Sequence, residues 1–219
     1  MTALELPAVL LSGFEPFGGD DRNPSWEVAH RLDGEPVPDD AGRPIARVTS
    51  LRLPCVFGEA FEVLDAGIRR HDPIAVVALG LDASRTDIAV ERVAINLDDA
   101  RIADNRGRQP RDAPVRPGAP AAYWSSLPVK AIVTALQAAG IPASVSNSAG
   151  TFVCNHVFFS LAHRLAAPAS RRVPAGFIHL PWAMADGAQG GIPFESLVAG
   201  VRLALRVALT EGDSSRATA

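Results

Sequence analysis

Ser144-Val-Ser-Asn-Ser-Ala-Gly-Thr-Phe-Val-Cys-Asn-His156 reads as a short strand, a turn through Gly150 and the opening of a helix. From Cys154 onward the apolar residues Val157, Phe158, Leu161 and Leu165 recur at helical spacing, so residues 154–165 are expected as a helix. Just before the stretch, residues 128–139 open on Pro128 and stop at Gly140, a helix with both a start and a stop signal. Beyond it, residues 175–180 read as a strand and residues 194–209 as a closing helix.

The same alternation runs back to the N-terminus. Residues 8–11, 45–53 and 74–79 are apolar runs bounded by Gly or Pro, and residues 56–70 carry apolar side chains at helical spacing. Strands alternating with helices predict an α/β fold: a three-layer α/β/α sandwich around a mostly parallel, mixed and twisted sheet. Residues 88–97 lack helix signals and are expected as an extended pair or an excursion from the sheet. Residues 106–121 are rich in Pro, Gly and Arg and are expected as a mobile loop.

The chain has 219 residues, 47% of them hydrophobic and 21% charged, which fits one globular domain with its own core. Its small polar end, about 212–219, is expected to fray. A net charge of −3 without a dense basic run argues against a nucleic-acid partner, and the Arg171–Arg172 pair reads as solvated loop. No apolar run approaches ~18 residues, so no membrane span is expected. Two cysteines, Cys55 and Cys154, are too few for a disulfide framework, which favours a reducing compartment, and no cysteine–histidine spacing suggests a metal.

Cys154 draws the chemistry. A thiol in a first helical turn faces unpaired N–H groups and the positive end of the helix dipole, both of which favour thiolate. Of the five histidines, His30 and His71 fall near helix ends. His163 is nine positions along the same helix, roughly 13 Å away, and His156 is two positions on and faces elsewhere. His179 falls at the carboxyl end of a strand, where open α/β sheets gather their functional groups. Asp87, Glu91, Asp98, Asp99 and Asp104 are all candidates to orient that imidazole. Ser12-Gly-Phe-Glu-Pro-Phe-Gly-Gly19 has phosphate-loop spacing but lacks the lysine, and Phe14 and Phe17 suit an apolar wall for a small uncharged ring better.

Taken together, several stretches resemble the pyroglutamyl-peptidase I family of cysteine peptidases. They are Gly13 to Gly19 with Asn23-Pro-Ser-Trp-Glu27, Arg85 to Ile88 with Glu91-Arg-Val-Ala-Ile-Asn96, Asp98 to Arg101 with Asp104-Asn105, Ser146 to His156, and Gly176 to Pro181. The resemblance implies hydrolysis of the amide after an N-terminal pyroglutamyl residue, through a thioester acyl-enzyme and without a cofactor. It implies Cys154 as nucleophile, His179 as base and Glu91 as the residue orienting it. It further implies a ring pocket from Phe14, Phe17, Phe152, Val153 and position 81, a supporting role for Arg101, a cytoplasmic location, and a homo-oligomer, often a tetramer. Two stretches depart from the family pattern. Gly80-Leu-Asp-Ala-Ser-Arg85 stands where the family has Gly-Gln-Ala-Gly-Gly-Arg, so Leu81 replaces a glutamine. Trp182-Ala-Met-Ala-Asp-Gly187 also differs.

Overall fold

A computed structural model describes residues 6–167, 173–184 and 191–214. In chain order the elements are β1 (Ala8–Phe14), α1 (Pro24–Arg31), β2 (Pro36–Pro38), β3 (Pro44–Leu53), α2 (Glu59–His71), β4 (Ala75–Leu81), β5 (Ile88–Glu91) and β6 (Val93–Ile95). Then follow β7 (Ala122–Trp124), α3 (Val129–Ala138), β8 (Ala143–Ser146), α4 (Val153–Leu165), β9 (Ala175–Leu180), β10 (Ala183–Met184), β11 (Ile192–Pro193) and α5 (Phe194–Ser214).

Seven strands form one sheet in the order β2-β3-β1-β4-β9-β5-β8. Its interior pairs are parallel except β5 against β9, and β2 closes one edge antiparallel to β3. Strands β1 and β4 are buried along nearly their whole length, as apolar strands covered on both faces should be. The pleat divides their side chains. Val9, Leu11, Val77, Leu79, Ile178 and Leu180 join the core under α1, α3 and α5. Leu10, Val76, Ala78, Ala175 and Phe177 join the core under α2 and α4, with Phe158 and Phe159. Burying each of these phenylalanines contributes about 1.5–3 kcal/mol. The sandwich is therefore α/β/α around a mixed, mostly parallel sheet.

Helix α1 follows from local chemistry that the apolar pattern hides. Asn23 accepts the Ser25 N–H at 3.1 Å and Pro24 occupies the first turn, so cap and pre-set φ start the helix. The helix begins against the end of β1. A Cβ on Gly13 would lie 2.2 Å from the Ser25 carbonyl oxygen, so only glycine admits this approach. Ser25 Oγ then accepts the Phe14 N–H at 3.0 Å, and Asn23 Nδ2 donates to the Glu15 carbonyl at 3.1 Å. The two N-terminal motifs thus brace one another.

Several expectations change in detail. Residues 56–58 form a turn, and α2 begins at Glu59. Residues 88–97 split: β5 belongs to the main sheet, while β6 leaves it to pair with β7. The segment 106–121, expected to be mobile, is pinned. Asp104 Oδ1 accepts from the N–H groups of Arg106 and Arg108, Arg116 N donates to Asn96 Oδ1 at 2.8 Å, and Arg108 reaches the Phe57 carbonyl at 2.8 Å. Residues 212–214, expected in the frayed tail, continue α5. Residues 215–219, Arg171, Arg172 and the end of the 182–187 stretch lie outside the described residues.

Candidate active site

The carboxyl ends of β4 and β9, the start of α4 and the end of β5 converge on one face of the sheet. Gly80 of β4 is in register with His179 of β9, and Ala89 of β5 opposes His179 from the other side. Side chains on a strand alternate in direction, so His179 shares its face with Phe177, and Glu91 shares it with Ala89. That is the face covered by α4. There His179 Nδ1 meets Glu91 Oε1 at 2.8 Å, with the two residues 4% and 1% exposed. Glu91 Oε2 is buried with no partner among the described residues. A buried carboxylate held by one imidazole is costly, and the carboxylate in turn fixes which ring nitrogen carries the proton.

Cys154 occupies the second position of α4, which starts at Val153. Its sulfur rests on the sheet beside His179: a Cβ on Gly80 would come within 2.9 Å of Cys154 Sγ and 2.7 Å of the Phe177 ring. Glycine at 80 is what leaves room for the thiol there. The Phe177 and His179 rings are 4.9 Å apart, which closes the group. Burial pushes the Cys154 thiol well up, and the charges of Cys55, Glu91 and Asp82 push the same way, against its own backbone N–H. Desolvation thus works against the depression expected from the helix terminus.

Asp82 continues the β4 ladder by donating its N–H to the Leu180 carbonyl at 3.0 Å. By alternation its side chain falls on the Gly80 face. Partial burial works against its ionisation. Two bonds from Ser84, then His179 and Arg85, outweigh that and hold its carboxyl below the ordinary range.

An aromatic wall rises beside the thiol. Phe14 is buried on the Cys154 face of β1, 6.4 Å from Phe177. Phe17 and Phe152, both partly buried, pack at 5.9 Å, and Phe57 meets Phe152 edge-on at 5.4 Å. The structure therefore brings Glu91, Cys154, His179, Phe14, Phe17 and Phe152 together. Val153 is fully buried core, so it can offer only its backbone. Leu81 is in register with Leu180 on the opposite face from Cys154; its side chain does not enter the site. Arg101 is exposed, with no partner for its guanidinium among the described residues, while its carbonyl accepts from Gln109.

Two residues of the site, Phe57 and Asn155, were not singled out from the sequence, and His156 was weighed only as a base and set aside. Phe57 looked like one more apolar position of a helix, yet it lies in the turn before α2. Asn155 is fully buried: its Oδ1 accepts the Ile95 N–H at 3.0 Å, and its Nδ2 donates to the carbonyls of Ile95 and Leu97 at 2.9 and 3.0 Å. It fastens the Cys154 turn to β6. His156 engages both ring nitrogens, Nδ1 with Asp98 Oδ2 at 2.8 Å and Nε2 with the Gly58 N–H at 3.1 Å, so it has no nitrogen left to serve as a base. An asparagine and a histidine flanking a cysteine were the available signals.

The arrangement offers a nucleophile, an oriented base and an apolar recess. No group of His, Cys, Asp or Glu among the described residues is arranged to hold a metal, and no described helix is long and apolar enough to cross a membrane. Comparison with known proteins agrees with the sequence motifs. The family model described as pyroglutamyl peptidase matches residues 7–211. A pyrrolidone-carboxylate peptidase of Klebsiella pneumoniae is 53% identical over 204 residues, covering 93% of this chain and 92% of that one. One of Cupriavidus pinatubonensis is 50% identical over 210 residues, 94% of each. Among solved structures, pyroglutamyl peptidase I of Bacillus amyloliquefaciens superposes with a TM-score of 0.84 at 38% identity, covering 92% of this chain and 96% of its own. A mutant pyrrolidone carboxyl peptidase of Pyrococcus furiosus does so at 0.84 and 39%, covering 94% and 99%. With its motifs, its sheet and nearly its whole length in common with these enzymes, the chain belongs to the pyroglutamyl peptidase family.

Proposed function

We propose that this protein hydrolyses the amide bond following an N-terminal pyroglutamyl residue, with Cys154 as nucleophile, His179 as base and Glu91 as the group orienting the base. The buried Glu91–His179 pair beside a thiol resting on Gly80 carries the reading. Sγ bonds to the pyroglutamyl carbonyl carbon while His179 takes the thiol proton, and the resulting imidazolium is stabilised by Glu91. First-turn N–H groups of α4, unpaired by helix geometry, stabilise the oxyanion. His179 then protonates the departing amine, leaving a thioester. Water attacks that thioester with His179 as base, releasing pyroglutamate and restoring the thiol. Every step uses side chains and backbone N–H groups of this chain together with water, so the reading calls on no cofactor.

Phe14, Phe17 and Phe152 supply the apolar surface for the ring. An ordinary N-terminus carries an ammonium, and burying it unpaired beside phenylalanine is costly, which excludes unmodified peptides. Leu81 faces away, so its replacement of glutamine leaves lactam recognition to the backbone at that position. Arg101, exposed two residues beyond Asp99, is assigned a supporting role. The substrates are peptides bearing N-terminal pyroglutamate, met in the cytoplasm, and the working form is a homo-oligomer; two unpaired cysteines suit a reducing compartment.

The test is release of a chromophoric amine from an L-pyroglutamyl amide, beside the L-prolyl amide and a Cys154→Ala variant. Release from the pyroglutamyl compound alone, abolished by the substitution, is expected. Inactive, reduced and folded wild-type protein would refute the reading.

A further inference from the structure

The mechanism leaves His156 unused, yet it is the most heavily tethered histidine near the thiol. It lies two residues past Cys154 in the first turns of α4, and its side chain is only 12% exposed. The Gly58 N–H donates to Nε2, so the proton belongs on Nδ1 and points at Asp98. Asp98 is buried, its carboxylate bonds His156, and its Oδ1 has no partner among the described residues. The backbone of Asp98 is held by reciprocal bonds with Ala113 at 2.7 and 3.0 Å. Gly58 is the N-cap of α2. One imidazole thus ties the start of α4 to the start of α2 and to the braced 98–113 segment.

The ring does more than tie. Phe57 presents itself edge-on to His156 at 5.6 Å and 88°, and edge-on to Phe152 at 5.4 Å and 89°. Phe152 in turn packs on Phe17 at 5.9 Å. A continuous chain of ring contacts therefore runs from His156 to Phe152 and Phe17, two of the three phenylalanines assigned to the ring pocket. From this geometry we infer that His156, fixed by Asp98 and Gly58, is a positioning residue that sets the aromatic wall and so governs affinity for the substrate ring, not the rate of acyl transfer. The inference rests on the function proposed above. A loosened wall weakens ring binding equally in ground state and transition state, which raises KM with little change in kcat. Cys154, seated on Gly80 beside His179, keeps its own geometry.

Steady-state kinetics on an L-pyroglutamyl amide test this with four variants. His156→Phe keeps a ring and removes both hydrogen bonds. His156→Asn keeps a donor toward Asp98 and removes the ring. Asp98→Leu deletes the acceptor, whereas Asp98→Asn retains one. We expect KM to rise about tenfold or more in the first three, the scale of a lost hydrogen bond, with kcat within about threefold. Asp98→Asn should restore KM to near the wild-type value. The pH dependence of Cys154 alkylation by iodoacetamide should not move in any of them. A fall in kcat at unchanged KM, a shifted alkylation profile, or unaltered KM in folded variants would overturn the inference. Absence of turnover by the wild type would instead sink the functional reading beneath it.

Discussion

At the scale of single residues, the account turns on two close approaches. Glu91 is almost wholly buried and spends one oxygen on His179 while the other has no partner among the described residues. Stability alone would not favour such a group. Glu91→Gln keeps the volume and removes the charge. It is expected to lower kcat/KM by about 10²–10⁴-fold, as the loss of an orienting carboxylate does, while the melting temperature stays level or rises. Full activity with a lowered melting temperature would make Glu91 structural. Gly80 is the second approach. Gly80→Ala places a methyl group against Cys154 Sγ and the Phe177 ring. A displacement of the thiol by about 1 Å is worth roughly 10²-fold in rate, and that fall in kcat/KM is what steady-state kinetics should read. The sequence carried Cys154 and His179 openly, by their places after a turn and at a strand end. It carried Glu91 only as a charge between valines, because its partner lies 88 positions away in the chain.

At the scale of elements, Asn155 holds the parts together. Its amide serves one N–H and two carbonyls of the β6 segment. Asn155→Leu leaves those partly buried backbone groups unpaired and should cost about 2–4 kcal/mol. Urea denaturation measures the loss, and faster amide exchange at Ile95 locates it; an unchanged midpoint would show that β6 is held otherwise. Elements with clear start or stop signals were legible: β3, α3, β8, α4 and β9 fall within a residue or so of their expected spans. The three-residue strands were not. Strands β6 and β7 have three residues each, too few to display a period. Helix α1 has a weak apolar stripe over eight residues, and its cap, Asn23-Pro24, was the readable sign. The 106–121 segment has the composition of a free loop, but Asp104 and Asn96 pin it from elsewhere in the chain, which composition does not reveal.

For the whole molecule, the buried thiol of Cys55 ties stability to pH. Burial pushes Cys55 from its ordinary 9.0 up to about 12, with Glu15 and Asp104 adding to the shift. The folded state therefore holds this proton more tightly than the unfolded chain. The stabilisation is complete below pH 9 and is lost as pH climbs toward 12. Cys154 shifts the same way, so the clean comparison is made in a Cys154→Ala background. There, adding Cys55→Ala should flatten the fall in urea midpoint across that alkaline window. An equally steep fall would assign the alkaline loss to other groups.

The central claim is a covalent one, that Cys154 carries the pyroglutamyl group between substrate and water. Rapid acid quench of the enzyme during turnover of an L-pyroglutamyl ester, followed by peptide mass spectrometry, tests it directly. The account predicts one pyroglutamyl adduct on the peptide containing Cys154, absent from Cys154→Ala and absent with the prolyl ester. Turnover with no adduct, or an adduct on Cys55, would contradict it.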